Sequence, residues 1–216
     1  MRFPGVYAEH GVFVCFEGGE GSGKSTQSRL LHEALTARGH RVLLTFEPGD
    51  TAVGKDVRRI VLSPETGDLD DRTEALLFAA DKAEHIESMV RPALERGEVV
   101  ITDRYVDSML AYQGAGRVLD AAQLEEVARW ATADLRPHLT VLLDLDPTAG
   151  FTRFEERDRM EQESVEFHQR VRAAFVGLAE RNPDHYLVLD ARAPVEEIHA
   201  AVLARLEPLL TQAVSA

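Results

Sequence analysis

Cysteine is almost absent. Cys15 is the only one, which excludes an intrachain disulfide and a cysteine-type structural zinc site. It sits in an apolar run and reads as core. Lysine is scarce too: of 24 basic residues only Lys24, Lys55 and Lys82 are lysines, and the other 21 are arginines. Against 37 aspartates and glutamates the net charge is −13. That argues against nucleic acid or an anionic membrane as a partner, because a basic face supplies most of the affinity there. No apolar run approaches the roughly 18 residues of a membrane span. Met1-Arg2-Phe3-Pro4-Gly5 is too short and too interrupted for a signal peptide, so cytoplasm is the expected location. The histidines (His10, His32, His40, His85, His138, His168, His185 and His199) form no HExxH or tight ligand cluster. They are expected mostly on the surface or on helix faces. Asparagine occurs once, as Asn182 before Pro183 and Asp184, which removes the guanine-reading Asn-Lys-x-Asp segment of a GTPase.

What is present is a globular pattern. The 216 residues are 44% hydrophobic and 28% charged, enough to bury a core as one domain spanning 1–216. Short apolar runs at 12–16, 41–46, 99–102, 140–145 and 186–189 read as buried parallel strands. Between them, 25–38, 73–90, 121–131, 164–181 and 195–209 show helical spacing. Thr73 is the expected N-cap of the second of these, with Pro92 marking its end region. Strands alternating with helices predict an α/β domain with a mostly parallel sheet, whose ligands sit beyond the carboxyl ends of the strands.

One motif carries chemistry on its own. Gly18-Gly19-Glu20-Gly21-Ser22-Gly23-Lys24-Ser25-Thr26 follows the first strand and opens a helix. It fits the phosphate-binding loop G-x-x-x-x-G-K-[ST]. Glycines let successive backbone N–H groups converge on one anion, and the helix N-terminus adds partial positive charge. Lys24 can reach the β- and γ-phosphates of a bound nucleotide, and the Ser25 hydroxyl can ligate Mg²⁺. The loop contains no arginine, so a transferring phosphoryl group needs one from elsewhere.

Further segments fall at ligand-facing strand ends. Asp103-Arg104-Tyr105 offers a carboxylate for Mg²⁺ and a planar fork for a second phosphate. Glu47-Pro48-Gly49 reads as a rigid turn. Phe78 and Lys82 share a helix face, an aromatic and a cation that could meet a nucleobase; core packing is the alternative reading. Residues 107–117, with Ser108, Tyr112 and Gln113, read as a polar binding lip. Three arginines within 153–159 read either as a solvated helix end or as an arginine-bearing lid.

In order, Phe16-Glu17-Gly18 through Thr26, Glu47-Pro48-Gly49, Leu77 to Lys82, Asp103-Arg104-Tyr105, Ala111 to Gly114 and Asp158 to Glu163 resemble the thymidylate kinase family of nucleoside monophosphate kinases. The resemblance spans about residues 10 to 205. It implies a P-loop kinase fold, with five parallel strands, helices on both faces and a short lid at about 150–163. It also implies transfer of the γ-phosphoryl group of ATP to dTMP with Mg²⁺, and a homodimer. Residues 18–26 would hold the donor phosphates, with Ser25 and Asp103 at the metal. Phe78 would stack on thymine, the cation at 82 would meet its exocyclic oxygen, and Arg104 would hold the acceptor phosphate. Ser108 and Gln113 would surround the base, with Glu47, Pro48 and Tyr112 also on the acceptor side. Glu20 would face the deoxyribose 3′-hydroxyl. The catalytic set would be Lys24, Arg104 and a lid arginine, Arg157 ahead of Arg153. Two departures stand out: Lys82 and Phe46 occupy positions where the family usually has arginine, so one acceptor-side cation is missing. A kinase for another nucleoside monophosphate or a deoxynucleoside is the rival reading, and a non-enzymatic nucleotide-binding module a third.

Overall fold

A computed structural model describes residues 4–150 and 158–214. Five strands, β1 (Val12–Glu17), β2 (Val42–Phe46), β3 (Val99–Asp103), β4 (Leu139–Asp144) and β5 (Tyr186–Asp190), pair in parallel in the order β2-β3-β1-β4-β5. β1 lies at the centre, buried along its whole length. Its alternation decides what faces what. Val12, Val14 and Phe16 pack in one core with Leu31, Leu35, Val202 and Leu206. Phe13 and Cys15 face the opposite core, with Ile86, Tyr105, Val106 and Met109. Glu17 continues the second row, so a carboxylate ends up in that core at the ligand end of the sheet.

The helices are α1 (Lys24–Ala37), α2 (Ala52–Leu62), α3 (Asp71–His85), α4 (Arg91–Glu95), α5 (Val106–Met109), α6 (Ala121–Ala131), α7 (Pro147–Gly150), α8 (Val165–Arg181) and α9 (Val195–Val214). A π-helical turn over Ile86–Val90 joins α3 to α4, and another over Leu110–Gly116 follows α5. Among the described residues no helix is long and apolar enough to cross a membrane.

Several expectations need correction. The N-cap of α3 is Asp70, not Thr73: Asp70 Oδ1 accepts from the amides of Arg72 (3.1 Å) and Thr73 (3.3 Å). The helical path continues past Pro92, which stands in the first turn of α4, where a missing N–H costs little. Residues 107–117, expected as a polar binding lip, are mostly helical, and their buried Ser108, Tyr112 and Gln113 do line a cavity. α2 was not singled out by its pattern; Thr51 caps it by accepting from the Gly54 amide (2.8 Å), and Val57 and Val61 bury its inner face. Of the histidines, His85 and His168 lie on helices as expected but on their buried sides, and His185 is buried off any helix.

Asp70→Ala should cost about 1 kcal/mol through the lost cap. We expect thermal denaturation followed by circular dichroism to show Tm falling by roughly 2–4 °C, and no change would assign the cap elsewhere.

Candidate active site

The loop after β1 is shaped by its contacts. Gly18 has φ 139°, and a Cβ there would lie 2.4 Å from the Leu143 carbonyl oxygen, so only glycine fits. Gly23, left-handed at φ 92°, leads into α1, which has no side-chain cap and no acidic residue in its first turn. The helix N-terminus therefore keeps its partial positive charge for a bound anion. Lys24 Nζ donates to the Gly19 carbonyl (2.8 Å). Burial, then the nearby Arg104, lowers the Lys24 pKa. Ser25 Oγ donates to Asp103 Oδ2 (2.6 Å), joining α1 to the end of β3. A hydroxyl and a carboxylate this close are hard oxygen donors of the kind Mg²⁺ takes alongside water and substrate phosphates, so the pair fits that ion. Both line a broad cavity of about 1000 Å³ with Glu20, Gly21, Gly23, Lys24 and Thr26. A neighbouring cavity of about 490 Å³ runs from Gly21, Ser22, Gly23 and Thr26 to Gln27, Leu145 and Arg192.

Arg104 follows Asp103 with a left-handed φ of 72°, a conformation sparsely populated for a residue with a side chain. Its neighbours hold it there. The Arg104 amide donates to the Phe16 carbonyl (2.9 Å), and Thr102 Oγ1 donates to the Arg104 carbonyl (2.9 Å). Glu17 Oε1 accepts from the amides of Tyr105 (2.8 Å) and Ser108 (3.1 Å), while Glu17 Oε2 accepts from Ser108 Oγ (2.6 Å). The guanidinium turned out by this turn pairs with Glu20 and donates to Ser108 Oγ (3.0 Å) and the Gly18 carbonyl (3.2 Å). Tyr112 Oη donates to Glu20 Oε1 (3.0 Å). Burial opposes the charge on Glu20, but Arg104, Lys24 and the Tyr112 bond outweigh it and lower its pKa.

A third cavity, of about 110 Å³, brings together every residue expected on the acceptor side: Glu20, Glu47, Pro48, Phe78, Lys82, Arg104, Ser108, Tyr112 and Gln113. Leu62, Met109, Asp158 and Met160 complete it, with Arg58. Lys82 is buried and donates to Glu47 Oε2 (2.6 Å), while Glu47 Oε1 lies 2.7 Å from His85 Nδ1. His85 Nε2 lies 2.6 Å from Thr45 Oγ1, which donates to Asp50 Oδ2 (2.7 Å). Burial would push Lys82 toward neutrality; Glu47 beside it reverses this and raises its pKa. The Glu47–Pro48 peptide is cis, and the Gly49 amide donates to Asp81 Oδ1 (3.0 Å).

A thymidylate kinase family profile matches residues 16–202. The chain belongs to the thymidylate kinase family. It is 52% identical over 210 residues to a thymidylate kinase of Clavibacter michiganensis subsp. michiganensis, covering 95% of this chain and 99% of that one. A thymidylate kinase of Cutibacterium acnes is 51% identical over 202 residues, covering 94% and 99%. The crystal structure of thymidylate kinase from Ehrlichia chaffeensis superposes with a TM-score of 0.77 at 32% identity, covering 92% of this chain and 99% of that one. The thymidylate kinase family fold thus accounts for the sheet.

The departure at Phe46 has a structural counterpart. Arg58, on α2, lies with its guanidinium carbon 5.7 Å from the centroid of the Phe46 ring and donates to the Pro48 carbonyl (2.8 Å). A Cβ at Gly49 would come within 2.7 Å of its stem. Arg58 lines both the third cavity and the broad cavity, so α2 supplies a cation beside the position where the sequence lacks one. The periodicity of Val57 and Val61 with the Thr51 cap was the signal that could have found it. Glu17 was also missed; an acid closing an apolar strand run was its signal. Of the lid, 158–163 is described and Asp158 and Met160 reach the cavity, whereas Arg153 and Arg157 lie outside the described residues.

Burial, then the neighbouring Asp107, raises Glu17 from 4.5 to about 7. Between those values the unfolded chain gives up the Glu17 proton while the folded chain keeps it, so stability from this residue is lost as pH rises. We expect wild type to lose Tm relative to Glu17→Gln between pH 4.5 and 7. A pH-independent Tm difference would contradict the assignment.

Proposed function

We infer that this chain phosphorylates dTMP to dTDP with ATP as the donor. The observation that carries this reading is the meeting of an acceptor cavity, floored by Phe78, Lys82 and Gln113, with the broad cavity of the phosphate loop; Glu20, Glu47, Arg58 and Arg104 line both. The acceptor phosphate would lie on Arg104, with Arg58 near it, and the base against Phe78. The donor phosphates would lie on residues 18–26, with the nucleoside toward Arg192 and Gln27.

The reaction is a direct in-line displacement. An oxygen of the dTMP phosphate forms a bond to the γ-phosphorus as the bond to the β,γ-bridging oxygen breaks, and ADP leaves with that electron pair. A phosphate monoester has its second pKa near about 6, so the nucleophile is already ionised and no general base is required. The barrier is the approach of two anions. This chain meets it by positioning and neutralisation, through Lys24, Arg104, the α1 N-terminus and a lid arginine, Arg157 or Arg153. Ser25 and Asp103 would hold Mg²⁺, whose chemistry there would be charge neutralisation at the donor phosphates. A cytoplasmic homodimer fits the reading; Val53, Leu76 and Trp130 on α2, α3 and α6 are exposed apolar residues of the kind an interface covers.

ADP release with ATP and each nucleoside monophosphate tests the reading. dTMP is expected to be the best acceptor, and activity with dCMP or dUMP far above dTMP would favour the rival. Lys24→Ala should lower turnover by about 10² or more, since it removes a charge aimed at the transferring group, with Tm retained. Near-normal turnover would remove Lys24 from the mechanism. Chelation by EDTA should abolish turnover and added Mg²⁺ restore it; turnover that persists in EDTA would exclude the ion from Ser25 and Asp103.

A further inference from the structure

α3 carries three functional side chains at a four-residue spacing, so Glu74, Phe78 and Lys82 share one face. Phe78 and Lys82 line the acceptor cavity; Glu74 does not, and it is completely buried. Its surroundings are nevertheless specific. Glu74 Oε1 accepts from Gln113 Nε2 (2.9 Å) and from Arg117 Nε (3.1 Å). Glu74 Oε2 accepts from a terminal nitrogen of Arg117 (3.1 Å) and pairs with Arg159. Arg159 is fixed in turn: its Nε donates to the Val61 carbonyl (2.9 Å) and its amide to the Leu62 carbonyl (2.9 Å). Both arginines meet on this carboxylate; Arg117 also pairs with Glu163 (2.5 Å), and Arg159 is anchored to the end of α2.

The consequence concerns the amide of Gln113. An amide can turn either its NH₂ or its carbonyl to a ligand, and the choice decides whether it reads a donor or an acceptor. A carboxylate flanked by two guanidinium groups is ionised and accepts only; the bonds from Arg117, Gln113 and Arg159 lower the pKa of Glu74 against its burial. Gln113 must give it the NH₂. Its Oε1 makes no hydrogen bond with the described residues, and Gln113 lines the acceptor cavity.

We propose that Glu74 is a positioning residue for base selection, which fixes Gln113 with its carbonyl toward the acceptor and so favours a pyrimidine with a ring N–H. Thymine and uracil carry that donor at N3; cytosine presents a lone pair there and meets carbonyl against lone pair. The inference rests on the reading of the cavity as a pyrimidine monophosphate site. It deepens that reading by naming the residue behind the one that touches the base. It also assigns Arg117 and Arg159 to holding Glu74.

The test compares kcat/KM for dTMP, dUMP and dCMP in wild type, Glu74→Gln and Glu74→Asp. A glutamine at 74 can donate as well as accept, so Gln113 is free to turn over. The dTMP:dCMP ratio should then fall on the order of tenfold, while the dTMP:dUMP ratio, which reports only the methyl group, stays unchanged. Glu74→Asp keeps an acceptor-only carboxylate and should keep the dTMP:dCMP ratio even with slower turnover. A proportional loss with all three acceptors in Glu74→Gln, or no change, would reduce Glu74 to a structural ion pair and overturn the proposal. Should Glu74→Gln fail to fold, a crystal structure of wild type with dTMP decides. The Gln113 amide bridging Glu74 and the thymine N3 supports the proposal, and an amide in contact with only one of them overturns it. Absence of ADP release from wild type with dTMP would instead contradict the underlying reading.

Discussion

The site depends on one constraint: a buried cation needs a carboxylate partner, because an uncompensated charge in the interior is costly. Lys82 has Glu47, Arg104 has Glu20, and Arg117 and Arg159 meet on Glu74, Arg117 with Glu163 as well; buried Lys24, which donates to the Gly19 carbonyl, departs from this pattern. The partners come from different parts of the chain. Glu20 follows β1, Glu47 follows β2, and Glu74 stands on α3. Pairing them with cations on α3, beyond β3, after the second π-helical turn and before α8 draws those segments to the carboxyl ends of the strands. The same pairs that hold the walls of the cavity also prepare its charges.

This explains how an acidic chain accommodates phosphates. A net charge of −13 excludes an extended basic surface, but not a local anion site. Positive potential enters through the uncapped N-terminus of α1 and the loop amides, which residue counting misses, and is concentrated by the guanidinium of Arg104, placed there by a left-handed turn. Glu20 then occupies Arg104 where an acceptor phosphate would compete for it. Two of the chain's three lysines, Lys24 and Lys82, belong to the site, and Lys55 is exposed on α2.

Much of this was legible in the sequence, for physical reasons. Parallel strands covered on both faces read as continuous apolar runs, so all five strands were visible. The phosphate loop was visible because its chemistry depends on local spacing. Helix ends were less so: Asp70 and Thr73 are both good caps, and only the backbone geometry separates them. Charge pairs were not legible at all. Glu74 meets Arg117 and Arg159 across 43 and 85 residues of sequence, and nothing local marks such a partner. His85 looked like a helix-face residue until its contacts with Glu47 and Thr45 gave it a buried place. Lys82 was legible as sharing a helix face with Phe78, but its pairing with Glu47 was not.

The central claim is that Arg104, poised on Glu20 and held by Glu17, receives the acceptor phosphate. Isothermal titration calorimetry of dTMP and of thymidine, on wild type and on Arg104→Met, tests it most directly. The two ligands differ only in that phosphate. Wild type should bind dTMP much more tightly than thymidine, and Arg104→Met should erase most of the difference while leaving thymidine binding in place. A variant that keeps the full preference for dTMP would contradict the account.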